Sequence, residues 1–578
     1  MQTVDFTTLI ALCTELRQEW VPARLENVYQ RDRHTISMSL RTLKKRGWLT
    51  LSWHPQAARL CIDDPPPRHP DTFTFSQQLR HQLSGLALVN IEAIAPWERS
   101  VDLQFANRPG DSVLWHVYLE VMGKYSNVIL TTHRNQVITA AQQVGDKQSS
   151  VRSIQTGQPY EPPPSQSDAV PSLEEPMEDW HERLALVPGP LWRNLVKLYR
   201  GVSPVLARSL AARAGLEPTI STDMMSAAEW EAMHTAWQQW LHLLNQNEFQ
   251  AGWQGAGYTV TGWGHYTPED SVQRLVSQYY KQELTQQELT QCGHQLTQKL
   301  DGYLKKLYRK AADFQQRLQA SEQSDELKQK ADLLMAYQHQ WQPGMTTIML
   351  PDFETGAEIS IPLDPTKNGI QNAQKLYKKH QKTKRSRTAV LPLLQEAEDE
   401  IRYLEQVDEA IARTLEQASD DNLAALYEIR DELIQQGYLN PDQQRQGSRD
   451  KPTNFYHYQS PSGFDILIGR NNRQNDELTF RLANDYDIWF HTQEIPGSHV
   501  LLRLPAGQVA DDVDLQCAAD LAAHYSRARQ SEQAPVIYTA PKLVFKPKGA
   551  KPGMVIYKQE TVIWGYPQKT AKYNSLHL

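Results

Sequence analysis

The 578-residue chain contains only four cysteines, Cys13, Cys61, Cys292 and Cys517. They are far apart, no CxxC pair occurs and no histidine lies at ligand spacing, so neither a disulfide framework nor a zinc site is indicated and a reducing cytoplasm is the expected setting. No apolar run approaches the roughly 18 residues that a membrane-spanning helix needs, and no membrane partner is expected. Export is not expected either: MQTVDFTTLIALCTELRQEW has no basic opening, carries Asp5 and Glu15, and reads as an amphipathic helix rather than a signal peptide. Equally absent are a Ser-His-Asp elbow, a Walker glycine loop and a GxGxxG turn. Nothing makes a case for hydrolysis or phosphoryl transfer, so the expectation is a factor without cofactor, metal or self-contained active site. Positive charge is not in excess either. Lys and Arg number 60 against 67 Asp and Glu, a net charge of −7, so nucleic-acid contacts have to come from local patches.

The chain is too long for one core, and its composition is that of a soluble multidomain protein. The feature that organises it is a pair of helical runs, residues 271–341 and 372–418. Leu300, Leu307 and Phe314 recur every seven residues in the first, and Ala397, Leu404, Ile411 and Ala418 in the second. The Pro/Gly-bearing insert between them returns the chain, which predicts an antiparallel coiled-coil hairpin on the order of 100 Å long; a dimerising rod is the alternative. Pro392 predicts a kink or restart in the second run. Residues 1–158 alternate apolar and polar positions and predict a β-rich domain with two helices. Six prolines in residues 159–177 predict a linker, placed at 159–178. Residues 179–265 contain two apolar-striped helices around Gly201-Val202-Ser203-Pro204, a helix-hairpin-helix whose turn can offer backbone N–H groups to phosphate; two packed helices and nothing more is the plain alternative. The arm is placed at 266–450 with its insert at 343–371, and a small α+β domain at 451–578. The whole is a multidomain α+β protein.

Two places are candidate nucleic-acid surfaces on residue type alone. Residues 375–387 hold seven cations and no acid: Lys375, Lys378, Lys379, Lys382, Lys384, Arg385 and Arg387. A solvated helix face is the ordinary fate of such a run. In the last domain, Arg470, Asn471, Asn472 and Arg473 form an Asn-rich loop before a helix at 478–484, and Trp489, His491 and His499 follow on strands. Planar donors beside an aromatic suit phosphate and base contacts in RNA. The loop Lys546-Pro-Lys548-Gly-Ala-Lys551 adds three more cations. A metal at His491 and His499 is disfavoured, because no third ligand stands at usable spacing.

The stretch IGRNNRQNDELTFRLANDYDIWFHTQEIPGSHVLLR, the closing PKGAKPGMVIY, YLEVMGKYSNVIL at 118–130, IPLDPTKNGIQNAQKLYKKHQK at 361–382 and IRDELIQQGYL at 429–439 together resemble, in the same order, the NFACT family of ribosome quality-control proteins. This is the bacterial RqcH and eukaryotic NEMF type, also labelled fibronectin-binding protein. The resemblance implies an N-terminal domain similar to that of formamidopyrimidine DNA glycosylases, and a C-terminal RNA-associated domain. It implies binding to large ribosomal subunits obstructed by peptidyl-tRNA, contacts with rRNA, recruitment of alanyl-tRNA and untemplated alanine tailing of the nascent chain. It also implies a small RNA-binding companion factor and peptide transfer by the ribosome. The family's tRNA-handling residues fall on Asp5 and on Glu98-Arg99, where the family pattern is Asp-Arg, so the carboxylate is kept with a longer reach. Glycosylase activity does not carry over, because those enzymes begin with Pro-Glu and this chain begins with Met1-Gln2. A surface adhesin and a nucleic-acid lyase are the alternatives.

Overall fold

The computed structural model describes residues 1–66, 70–94, 97–145, 149, 152–164, 169–322, 324–416, 419–441 and 454–573. Ala418, the last member of the second heptad series, lies outside the described residues. The chain divides into two compact units, Met1–Leu284 and Thr285–Leu578.

The first unit opens with helix α1 (Phe6–Trp20), started by the Asp5 carboxylate, which accepts from the Thr8 N–H at 2.9 Å. Leu9, Leu12 and Leu16 recur at helical spacing and are buried against a nine-stranded antiparallel sheet. The sheet is formed by β1 (Ala23–Asp32), β2 (Thr35–Arg41), β3 (Arg46–Ser52), β4 (Arg59–Asp63), β5 (Ala87–Ala93), β6 (Ser100–Ala106), β7 (Trp115–Glu120), β8 (Asn127–Thr132) and β9 (Val137–Ala140), with α2 (Thr74–Leu83) between β4 and β5. Its order is β4-β3-β2-β1-β5-β6-β7-β8-β9. Alternation sends Val101, Leu103 and Phe105 of β6 and Val117 and Leu119 of β7 into one core. The opposite face carries Tyr118, whose ring stacks on Tyr160 at 3.9 Å, and Glu120, gripped by Arg152 at 2.7 Å. Tyr160, near the start of the anticipated linker, is therefore fixed to the sheet.

Helices α3 (Met177–Ala185), α4 (Leu191–Leu198), α5 (Pro204–Arg213) and α6 (Ala227–Gln246) enclose a second core rich in tryptophan, including Trp180, Trp237 and Trp240. A small sheet follows, β10 (Gly252–Gln254), β11 (Gly257–Thr259) and β12 (Thr267–Pro268).

The helical runs are α7 (Val272–Glu322), α8 (Ser324–Ala336) and α9 (Gly369–Thr414). At about 1.5 Å per residue, the 51 residues of α7 measure about 75 Å, shorter than the reach anticipated for the whole run. Leu296, Leu300, Leu304 and Leu307 of α7 share one buried cluster with Ala397, Leu404 and Ile411 of α9. Tyr308 donates to Glu405 at 2.7 Å and Gln315 to Glu398 at 3.5 Å, so the two helices run antiparallel within one chain. The cluster also takes Leu426, Ile429 and Leu433 from α10 (Asp420–Gln435), a third helix that the two-seam pattern does not anticipate. Pro392 lies inside α9 without restarting it, which corrects the restart half of the expected kink or restart: the helix runs from Gly369 to Thr414, and Leu391 and Leu393 beside the proline face solvent. Between α8 and α9 the insert forms the hairpin β13 (Thr347–Pro351) and β14 (Glu358–Pro362).

The C-terminal sheet is built from β15 (Tyr456–Gln459), β16 (Asp465–Ile468), β17 (Ile488–Thr492), β18 (Val500–Leu502), β19 (Ala534–Thr539) and β22 (Thr561–Gly565), in the order β15-β16-β18-β17-β19-β22. The ribbon of β20 (Val544–Phe545) and β21 (Ile556–Tyr557) stands beside it, and α12 (Asp512–His524) covers one face through Cys517, Ala518 and Leu521. The segment read as a polar loop is helix α11 (Asn472–Glu477), because Asn471 caps it by accepting from the Gln474 N–H at 3.0 Å. It passes directly into a π-helical turn at Leu478–Leu482, ending two residues before the anticipated helix limit at 484.

Candidate nucleic-acid interface

Asp5, Glu98 and Arg99 line one cleft of about 450 Å³ in the first unit, together with Lys197, Arg200 and the turn from Gly201 to Pro204. They come from three places in the chain: the residue before α1, the β5–β6 turn and the α4–α5 hairpin. Asp5 is buried and spends both oxygens internally. One caps α1, and the other accepts from the Ser203 hydroxyl at 2.7 Å, while Ser203 itself caps α5 by accepting from the Leu206 N–H at 3.0 Å. The carboxylate is thus a strut between two helix starts, and it sets the hairpin turn against the β5–β6 turn.

Trp97 holds the other wall. Its backbone is in the left-handed region at φ 65°, a costly state for a bulky residue. The ring stacks on Phe6 at 4.8 Å and meets Trp240 at 5.3 Å, which locks the conformation. Gly201 has φ +73°, and a β-carbon there would stand 3.0 Å from the Trp97 ring, so the hairpin turn approaches this wall as closely as it does only because 201 is glycine. With Trp97 held, Glu98 and Arg99 project half-buried into the cleft, and among the described residues neither side chain has a hydrogen bond or ion pair. A guanidinium, a carboxylate and two further cations, Lys197 and Arg200, then face a common space: the guanidinium can hold a phosphate or a base edge, and the carboxylate can accept from a base amino group. The tryptophan wall, Lys197 and Arg200 escaped the sequence reading; the signal available was that Arg193, Lys197, Arg200, Arg208 and Arg213 occupy residues 188–216 with no acid among them.

The C-terminal candidates behave differently: the polar cluster expected to offer phosphate and base contacts is largely buried and bonded within the protein. Arg470 donates to the Asn454 carbonyl at 2.6 Å and to Asn422 at 2.8 Å, lies 3.6 Å from Asp421 and covers the Tyr456 ring at 3.9 Å. Asn471 donates to Glu428 at 2.6 Å, Asn472 to Glu432 at 3.3 Å and Arg473 to Gln435 at 3.1 Å. Four successive residues therefore fasten α11 to α10. Trp489 is fully buried and donates to Thr479 at 3.1 Å. His499 is 1% exposed and lies across the Trp489 ring at 5.0 Å, while His491 stacks on that ring at 5.9 Å. Burial pushes His491 down to about 4 and His499 well below the usual histidine range, so both are neutral packing groups at pH 7. Among the described residues no three-ligand metal cluster occurs.

Of the loop cations, Lys546 pairs with Asp476, Lys548 is exposed, and Lys551 pairs with the Tyr438 hydroxyl and lies 4.7 Å from the Tyr403 ring centre. Lys375 is 3.5 Å from Asp364, whereas Lys378, Lys379, Lys382, Lys384, Arg385 and Arg387 are exposed along α9, with no ion pair among the described residues. At the other end of the chain, the Met1 amine lies 3.5 Å from Glu283 and Gln2 is anchored to Tyr258 and Tyr280.

Residues 5–452 match the profile for NFACT N-terminal and middle domains, and residues 454–559 match that for the NFACT protein RNA binding domain. The chain is 30% identical over 566 residues to the Rqc2 homolog RqcH of Bacillus subtilis, covering 96% of each. It is 30% identical over 565 residues to that of Streptococcus suis, again covering 96% of each. Among solved structures, the C-terminal part of the fibronectin/fibrinogen-binding protein of S. suis aligns at 31% identity and TM-score 0.38, covering 49% of this chain and 98% of that one.

Proposed function

The chain belongs to the NFACT family, and on that premise we propose that it is a ribosome quality-control factor that engages obstructed large ribosomal subunits carrying peptidyl-tRNA. It recruits alanyl-tRNA there for untemplated C-terminal alanine tailing, in the cytoplasm, with the ribosome supplying the peptide transfer. The observation that carries the reading is the convergence of Glu98, Arg99, Lys197 and Arg200 on one cleft closed by the α4–α5 hairpin. Arg99 and Glu98 are the tRNA contacts. Asp5 acts on tRNA indirectly, because its oxygens are spent on Thr8 and Ser203 and its role is to hold the hairpin turn in place. The antiparallel α7–α9 pair serves as the arm, and its exposed cations from Lys378 to Arg387 meet rRNA phosphates. Lys548 is the exposed cation of the C-terminal loop left for the same task.

Sequencing the RNA that copurifies with the protein from stalled-translation extracts tests this reading. Enrichment of alanine tRNA together with large-subunit rRNA is expected. Recovery of DNA, or of no nucleic acid, contradicts it.

A further inference from the structure

The motif at residues 429–439 is only partly used by the α10–α11 contact, which takes Glu432. Its Arg430 points the other way, into a recess of about 460 Å³ between α7 and α10. The Arg430 side chain is only 11% exposed and its Nε is buried without a partner. Among the described residues its ion-pair contact is Asp431 at 3.9 Å, at the limit of an ion pair, and its guanidinium lies over the face of Tyr427 at 4.6 Å. A guanidinium taken this far out of water without a hydrogen-bonded counter-ion is costly, and the cost is removed when an oxyanion enters.

The rest of the recess is suited to such a guest. Lys299 supplies a second cation on its rim. Gln291, Gln295 and Gln298 fall on one face of α7 at steps of four and three residues, so their amides form a row about 10 Å long. Each amide both donates and accepts, as the edge of a nucleobase requires. The nearby carboxylate, Glu288, accepts from the Tyr427 hydroxyl. The volume lies within the range of small-ligand sites.

We propose that this recess binds one nucleotide unit of an RNA strand, with its phosphate on Arg430 and Lys299 and its base edge on the glutamine row. The inference rests on the RNA-binding reading above, but it concerns a separate site in the other unit. It commits to RNA over an acidic peptide because a nucleotide carries its anionic group and a planar edge of adjacent donors and acceptors on one rigid unit, matching two cations beside a row of amides, whereas a peptide backbone meets such a row only when it is ordered as an extended strand along it.

The test compares wild type, Arg430→Gln and Lys299→Ala for binding a fluorescent short single-stranded RNA across a salt series, with AMP as the mononucleotide probe and polyglutamate as the acidic-peptide probe. Arg430→Gln is expected to weaken RNA binding about tenfold. It is also expected to make the slope of log affinity against log salt shallower by about 0.7, the signature of one lost phosphate contact on a single strand. Its melting temperature without ligand should be unchanged or higher, since an unsatisfied buried cation has been removed. AMP stabilising wild type but not Arg430→Gln identifies a free nucleotide as sufficient, and stabilisation by RNA alone identifies the strand. RNA affinity and salt slope equal to wild type overturn the proposal, as does a lowered melting temperature with unchanged affinity per folded molecule, or loss of polyglutamate binding with RNA binding intact. If Arg99→Ala loses tRNA while Arg430→Gln behaves as wild type, this inference fails and the proposed function stands. If wild type binds no RNA, both fail.

Discussion

The cleft at Arg99 and the cluster at Arg470 are made of the same kinds of side chain, yet among the described residues the first leaves its side-chain donors unpaired and the second spends them inside the protein. Arg99 and Glu98 project from a turn held by Trp97, and their side chains have no hydrogen bond or ion pair among the described residues. Arg470 is surrounded by the Asn454 carbonyl, Asn422, Asp421 and the Tyr456 ring, and the three residues after it each bond to α10. The lesson is about unspent hydrogen-bonding capacity. A guanidinium recognises a ligand only where the fold has left its donors unpaired, and residue type alone does not report this.

Breaking the internal side should produce the largest effect on stability. Arg470→Ala removes a buried cation bonded to two acceptors, and is expected to cost about 3–5 kcal/mol in chemical denaturation of the second unit. A loss below about 1 kcal/mol would mean that the α10–α11 contact is loose enough for Arg470 to serve RNA after all.

A smaller effect is expected from the carboxylate at the centre of that contact. Glu432 is 2% exposed, accepts from the Tyr403 hydroxyl at 2.8 Å and from Asn472, and is pushed up to about 7, chiefly by burial. The protonated form is favoured in the folded state. The associated stability is therefore fully present below the unfolded value near 4.5 and is lost as pH rises through 7, amounting to about 3 kcal/mol across that window. Glu432→Gln should flatten this dependence, measured as denaturation free energy from pH 4.5 to 8. An unchanged profile in the variant would place the titration elsewhere.

The sequence made some of this legible. Leu300, Leu307, Leu404 and Ile411 announce helices that pack on each other, because their seven-residue spacing directly encodes a face. It did not announce α10 as the third member of that cluster, since Leu426, Ile429 and Leu433 are compatible with any amphipathic helix on any partner. Pro392 predicts a kink or restart from local chemistry, and the helix continues through it on a largely exposed stretch without restarting. Asp5, Glu98 and Arg99 came together through the family resemblance, and composition offered no route to them. Nor could composition reveal that Trp97 adopts a left-handed backbone or that Gly201 is needed beside it, because both depend on an approach between segments a hundred residues apart. The Asn-rich segment from Arg470 to Arg473 misled for a related reason: a run of donors looks the same whether its acceptors are phosphates or the carboxylates of the next helix.

The smallest stability change and the most telling functional one belong to the other side of the comparison. Arg99→Ala removes a half-buried side chain without hydrogen bonds, so its cost in stability should stay within about 0.5 kcal/mol. Each lost base or phosphate contact is worth about 1–3 kcal/mol, enough to lower tRNA occupancy ten- to a hundred-fold. The measurement that tests the account most directly is therefore to purify the Arg99→Ala protein from cells with stalled translation and to analyse its bound RNA and the nascent-chain ends together. The account predicts that large-subunit rRNA is retained while alanine tRNA and alanine tails are lost; tails made at the normal rate would contradict it.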